Sequence, residues 1–167
     1  MRTRRQDIGY KWEYDLVKRF NKLGTARRLG GSSTGLPDIL YTCHVQDKTD
    51  QSTYIYAIEA KATSEANLLY IPNDQILRCF DILDMFKAYD FRSILFAFKF
   101  GGTKLNRREV KEYIFEVDVV CPLPLKSREK RMKKIREKLI KTEFIRCNYN
   151  GCVTDSDYNM LDLDYFL

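Results

Sequence analysis

The chain has 167 residues, 44% of them hydrophobic and 31% charged, which suits one globular domain with a core of its own. No apolar run approaches the roughly 20 residues that span a bilayer, and the start, MRTRRQDIGYKWEYD, is basic without the apolar stretch of a secretory signal, so a cytoplasmic protein is expected. Five cysteines without a CxxC pair and one histidine argue against a disulfide framework, a structural zinc site and Ser–His–Asp hydrolysis, while a net charge of +6 points to a polyanionic partner, nucleic acid before acidic membrane.

Arg2, Arg4 and Arg5 open the chain as a basic cluster, and a first helix is expected from about Ile8 to Leu23. On a wheel of about 100° per residue, Ile8, Trp12, Leu16, Val17, Phe20 and Leu23 form one apolar stripe, with Glu13 inside it. An acid in that place is costly unless a cation receives it. After Gly24, TARRL reads as a short strand, and Arg27 and Arg28 lead into a Gly/Ser loop, GGSSTG. That loop suits contact with a phosphate as well as a plain surface turn. A strand from Asp38 to Cys43 follows. His44, adjacent to Cys43 and so on the opposite face, is an ordinary strand-end residue. HVQDKTDQST should connect a β-hairpin whose second strand, Tyr54–Ala62, is apolar on both faces and central in its sheet.

Helical periodicity returns from about Asn73 to Tyr89. Ile76, Cys79, Phe80, Ile82, Leu83, Phe86 and Tyr89 form its stripe, Gln75 intrudes on it, and Asn73 is the expected cap. Ser93–Phe100 reads as a buried strand. This order of elements implies an α/β fold, a mixed central sheet flanked by helices. Beyond Gly101–Gly102, a strand is expected at Tyr113–Val120, and a basic amphipathic helix at 127–141 with Met132, Ile135 and Leu139 on its narrow apolar side. Residues 126–141 hold nine Lys/Arg against two Glu, a net +7 that leaves −1 for the rest of the chain. Such a face serves a polyanion or simply keeps a helix solvated. TEFIRCNYNGCVTD reads as a terminal hairpin turning at Asn150–Gly151, and the tail beyond is apolar enough to dock.

Three charges on apolar strands require an explanation. Glu59 and Lys61, two apart on the central strand, share a face roughly 6–7 Å apart. Asp38 begins the neighbouring strand just after Pro37, and hairpin pairing sets its carboxylate beside that of Glu59. Two such carboxylates repel, and a hard divalent cation such as Mg²⁺ relieves the repulsion. Glu13 can add a third carboxylate, and Lys61 can orient or deprotonate a water. These are the parts for metal-assisted attack on a phosphodiester. A buried salt bridge between Lys61 and either acid is the plain structural alternative.

Glu13, Pro37-Asp38 and Glu59-Ala60-Lys61 together resemble the PD-(D/E)xK nuclease superfamily. More narrowly, the chain resembles the archaeal Holliday junction resolvases. GYKWEYDLVKRFNKLG, RRLGGSSTGLPDIL, YAIEAKAT, YIPNDQILRCFDI and LFAFKF carry that likeness over residues 8–100 or so, and the tail does so more loosely. The resemblance implies a restriction-endonuclease-like core and a homodimer that makes paired, Mg²⁺-dependent nicks in a four-way DNA junction during recombination and repair, with Mn²⁺ as a substitute metal. It implies Glu13, Asp38, Glu59 and Lys61 as catalytic residues, with Glu13, Asp38, Glu59 and the carbonyl of Ala60 as metal ligands. It also implies a functional loop serine, matched by Ser32 or its neighbour Ser33, and a site role for Gln75. Arg4, Arg5, Arg28, Ser33, Lys130, Arg131, Lys133 and Lys134 are the expected DNA contacts.

The chain is expected to be one nuclease domain: a core over about 1–100, a basic strand-and-helix insertion over about 101–142, and a C-terminal hairpin and tail. The insertion and the long connection from Thr42 to Thr53 depart from the resemblance. Two other functions use the same features: a nuclease of this superfamily acting on duplex or flap DNA, and a non-catalytic DNA-binding module.

Overall fold

The structure, a computed structural model, describes residues 3–30, 35–46, 51–101, 108–117, 130, 133–134, 136–137, 141, 144–151 and 159–161. Ser32, Ser33 and Arg131 lie outside the described residues. Helix α1 runs Arg4–Phe20, beginning before the expected Ile8 because Thr3 and Gln6 cap it reciprocally. Thr3 Oγ1 accepts from Gln6 N–H at 3.3 Å, and Gln6 Oε1 accepts from Thr3 N–H at 2.8 Å. Trp12, Leu16 and Phe20 are buried as the stripe requires, but Leu23 lies past the helix end and is 51% exposed.

Strands β1 (Thr25–Arg28), β2 (Ile39–Gln46) and β3 (Gln51–Thr63) form an antiparallel meander. The expected long connection at 44–53 is mostly ladder: His44, Val45 and Gln46 pair with Thr53, Ser52 and Gln51. Its polar residues read as loop because this end of the hairpin is largely exposed to water, where neither face needs to be apolar. β4 (Leu68–Pro72), which no reading of the sequence anticipated, pairs antiparallel with β7 (Phe144–Asn148). The returning half of the expected terminal hairpin lies outside the described residues. The turn is present, with Gly151 N–H bonded to Asn148 O and φ at +81°, but β7 takes a distant partner.

Helix α2 runs Asn73–Met85 with Pro72, not Asn73, at the N-cap, and it ends at Phe86, short of Tyr89. The buried guanidinium of Arg92 donates to Leu83 O at 3.3 Å and closes that terminus. β5 (Phe91–Phe100) lies parallel to β3, and β6 (Lys111–Val117) lies antiparallel to β5. The docking tail adds β8 (Asn159–Leu161) beside β6. The mixed sheet has the order β1-β2-β3-β5-β6-β8, so strands from beyond residue 100 complete the sheet begun by the first half of the chain.

The two faces of the sheet carry separate cores. Trp12, Leu16 and Phe20 of α1 cover Tyr41, Tyr56, Ile58, Leu95 and Ala97 on one face. Ile76, Cys79, Phe80 and Leu83 of α2, with Ile71 and Ile145 of the β4–β7 ribbon, cover Ile55, Ala57, Phe96 and Phe98 on the other. Because β3 and β5 are buried on both faces they read as continuous apolar runs. Trp12 Nε1–H donates to Ala97 O at 3.3 Å, which fixes α1 over β5. Among the described residues, no helix is long and apolar enough to cross a membrane.

Of the expected basic helix, Lys130, Lys133, Lys134, Arg136 and Glu137 are helical, and the three lysines are exposed. Arg136 pairs with Asp81 at 2.7 Å and Asp84 at 3.1 Å, tying this segment to α2.

Candidate active site

The alternation of β3 decides where its charges point. Ile55 and Ala57 face α2, so Glu59 and Lys61, two and four residues on, face α2 as well. The register Ile39↔Ile58 sets Asp38 across from Glu59, one step beyond the last assigned pair. Asp38 Oδ2 accepts the Ala60 N–H at 2.9 Å, so the peptide between Glu59 and Lys61 is held by the neighbouring acid. Asp38 is 5% exposed and Glu59 is 0% exposed, so both charges are withdrawn from water.

Arg78 of α2 receives them. Its Nε and Nη2 donate to the two oxygens of Glu59, each at 2.7 Å, and Nη2 also lies 3.7 Å from Asp38 Oδ1. One guanidinium nitrogen therefore marks the position of a cation between the two carboxylates. Sequence reasoning missed Arg78. The available signal was an arginine at the edge of the α2 stripe, in the helix packed over a buried acid. Cys79, fully buried, places Sγ 3.8 Å from Glu59 Oε1, and burial together with Glu59 pushes its thiol well up, which keeps it neutral.

Burial pushes Glu59 up to about 7; Asp38 adds to the rise, and Arg78 and Lys61 oppose it. Lys61 is half-buried, and among the described residues it holds no ion pair. Glu13 comes from α1, on the other face of the sheet. Arg28 Nε donates to its carboxylate, and the Arg28 guanidinium also lies 4.6 Å from the Tyr10 ring centre. Burial pushes Glu13 up and the Arg28 hydrogen bond draws it down, with Asp38 repelling and Lys61 attracting its charge. Asp38, Glu59, Lys61 and Arg78 thus gather on one face, and Glu13, bound to Arg28, feels the charges of Asp38 and Lys61.

Gln75, on the α2 stripe, has a buried Oε1 without a hydrogen-bond partner among the described residues. Arg5 lines a cavity of about 430 Å³ with Ile8 and residues Ala62 to Ala66 and Leu69, beginning one residue past Lys61. Arg4 opens α1.

Among the described residues, no three Asp, Glu, His or Cys side chains are grouped closely enough to hold a metal ion. Two carboxylates do converge, and an orphaned amide oxygen lies on the helix that covers them. Buried oxygen donors of this kind suit a hard cation such as Mg²⁺. Arg78 already holds the position between the carboxylates, so an ion and this guanidinium are alternatives there. No protein-family model matches the chain, and no curated protein sequence matches it.

Proposed function

We propose that the chain is a structure-selective DNA endonuclease that resolves four-way junctions by paired, Mg²⁺-dependent phosphodiester hydrolysis in recombination and repair. The resemblance to the archaeal resolvases within the PD-(D/E)xK nucleases supplies the reading. The observation that carries it is the buried convergence of Asp38 and Glu59, bonded through Ala60, with Lys61 on the same face. A buried acid costs stability, and two of them beside a lysine are a mark of a chemical site.

Asp38, Glu59 and the carbonyl of Ala60 would hold the metal, whose part is to polarise a phosphoryl oxygen and lower the pKa of a bound water. Asp38, by holding the Ala60 N–H, fixes the orientation of the peptide that carries both catalytic side chains. Lys61 sets an ammonium where negative charge develops on the attacked phosphate. Arg28 holds Glu13 near this group, and Arg5, in the neighbouring cavity, is a contact for the DNA backbone. The exposed Lys130, Lys133 and Lys134 extend that contact. A homodimer suits a junction with two equivalent strands to be nicked, and its action would be on the nucleoid in the cytoplasm.

The bidentate Arg78–Glu59 pair favours a second reading, a non-catalytic DNA-binding module whose acids are structural. Incubation with Mg²⁺ and labelled four-way junction, flap, duplex and single strand separates the two. The nuclease reading expects paired nicks in the junction and little cutting of duplex. Binding to all four with no cutting supports the module, and cutting of flap or duplex in preference moves the substrate within the same chemistry.

A further inference from the structure

Arg78 makes two short hydrogen bonds at the centre of the candidate site, yet the proposed chemistry gives it no part. Its fork engages both oxygens of Glu59 at 2.7 Å, and the same Nη2 lies 3.7 Å from Asp38. Arg78 is 8% exposed and Glu59 is 0% exposed, so the guanidinium is part of the core. A planar fork with a fixed charge is the side chain best suited to close such a carboxylate. An ion placed between Asp38 and Glu59 would meet this guanidinium, and two cations with only two carboxylates to share repel one another in a buried site.

We infer that Arg78 is a resident counter-ion of the active site, a positioning residue that holds Asp38 and Glu59 in place and gives way when a divalent metal binds. This rests on the reading of Asp38 and Glu59 as the metal-holding pair. Gln75 gives the displaced guanidinium a destination. It lies three residues earlier on α2, where side chains i and i+3 are neighbours, and its buried Oε1 accepts from no donor among the described residues. The arginine therefore moves from a carboxylate to an amide oxygen along one helix face. The consequence is weak metal binding in the free protein. The ion has to displace an ion pair before it gains its own ligands, and the metal-free site is protected from the repulsion of two bare carboxylates.

The test uses the full chain and Mn²⁺ alone, with binding followed by electron paramagnetic resonance and by the shift in Tm. Arg78→Met keeps the stem and removes the charge. It should bind Mn²⁺ at least about tenfold more tightly than the parent, since the ion then relieves an unpaired buried charge. Mn²⁺ should also raise its Tm by more than it raises the parent's, and adding Asp38→Asn should abolish the gain. Should Arg78→Met fail to fold without metal, Arg78→Lys keeps a cation but loses the fork, and its affinity should still exceed the parent's. Gln75→Leu should weaken Mn²⁺ binding in the parent and leave Arg78→Met unchanged. Folded variants at position 78 that bind Mn²⁺ no more tightly than a parent that does bind it overturn the Arg78 inference and leave the nuclease reading intact. Absence of Mn²⁺ binding from every protein in the set overturns both.

Discussion

Glu59 has no exposed surface, and an isolated carboxylate in that position would cost several kcal/mol. Arg78 offsets this cost with two short hydrogen bonds, so the pair is best tested by breaking it from either side. Arg78→Met leaves a buried charge unpaired, and urea unfolding without metal should show a loss of about 3–5 kcal/mol. Adding Glu59→Gln removes the stranded charge, so the double variant should be more stable than Arg78→Met alone. Equal losses in the single and double variants would mean that Glu59 is not the partner that matters. The position of Glu59 beside Asp38 was legible in the sequence, because strand alternation and hairpin pairing are local rules. Arg78 was not, since nothing in α2 alone says which of its edges meets the acids.

Among the elements, α1 is joined to the far side of the sheet by charge as well as by packing. Glu112 of β6 accepts from Arg19 of α1 at 2.6 Å and from Lys99 of β5 at 2.7 Å, and both cations lie against the Trp12 ring. Burial would push Glu112 up, but these hydrogen bonds prevail and hold it below the usual carboxylate range. A folded-state pKa below the unfolded one means stability that is present above the ordinary value of 4.5 and lost as pH falls through the depressed one. Glu112→Gln should therefore cost about 1–2 kcal/mol at neutral pH, and the gap from the parent should close on acidification. A gap that persists unchanged to pH about 2 would assign the loss to packing instead. The helices, the meander and the buried strands were readable from periodicity. The β4–β7 ribbon was not, because Leu68–Pro72 finds its partner only at Phe144–Asn148, and no local pattern announces a pairing that distant. The start of α1 was not legible either, because the apolar stripe begins later than the Thr3–Gln6 cap.

Across the whole molecule, the acids and the excess positive charge lie in different parts of the chain: the acids in the first half of the sheet, and the charge in the segment that Arg136 ties to α2. If that charge meets DNA, neutralising Lys130, Arg131, Lys133 and Lys134 weakens junction binding and lowers the slope of log K against log salt by about 0.9 for each phosphate no longer neutralised. An unchanged slope would make those residues a solvated face. The junction reading itself was legible only through the resemblance, because a pair of acids and a lysine describe a chemistry and carry no information on the shape of a substrate. The most direct measurement of the central claim is Mg²⁺-dependent cleavage of a labelled four-way junction by the parent and by Asp38→Asn, at protein concentrations giving equal junction binding. Paired nicks from the parent and none from the variant are expected. Equal cleavage by both proteins, or none by the parent at full binding, would contradict the claim.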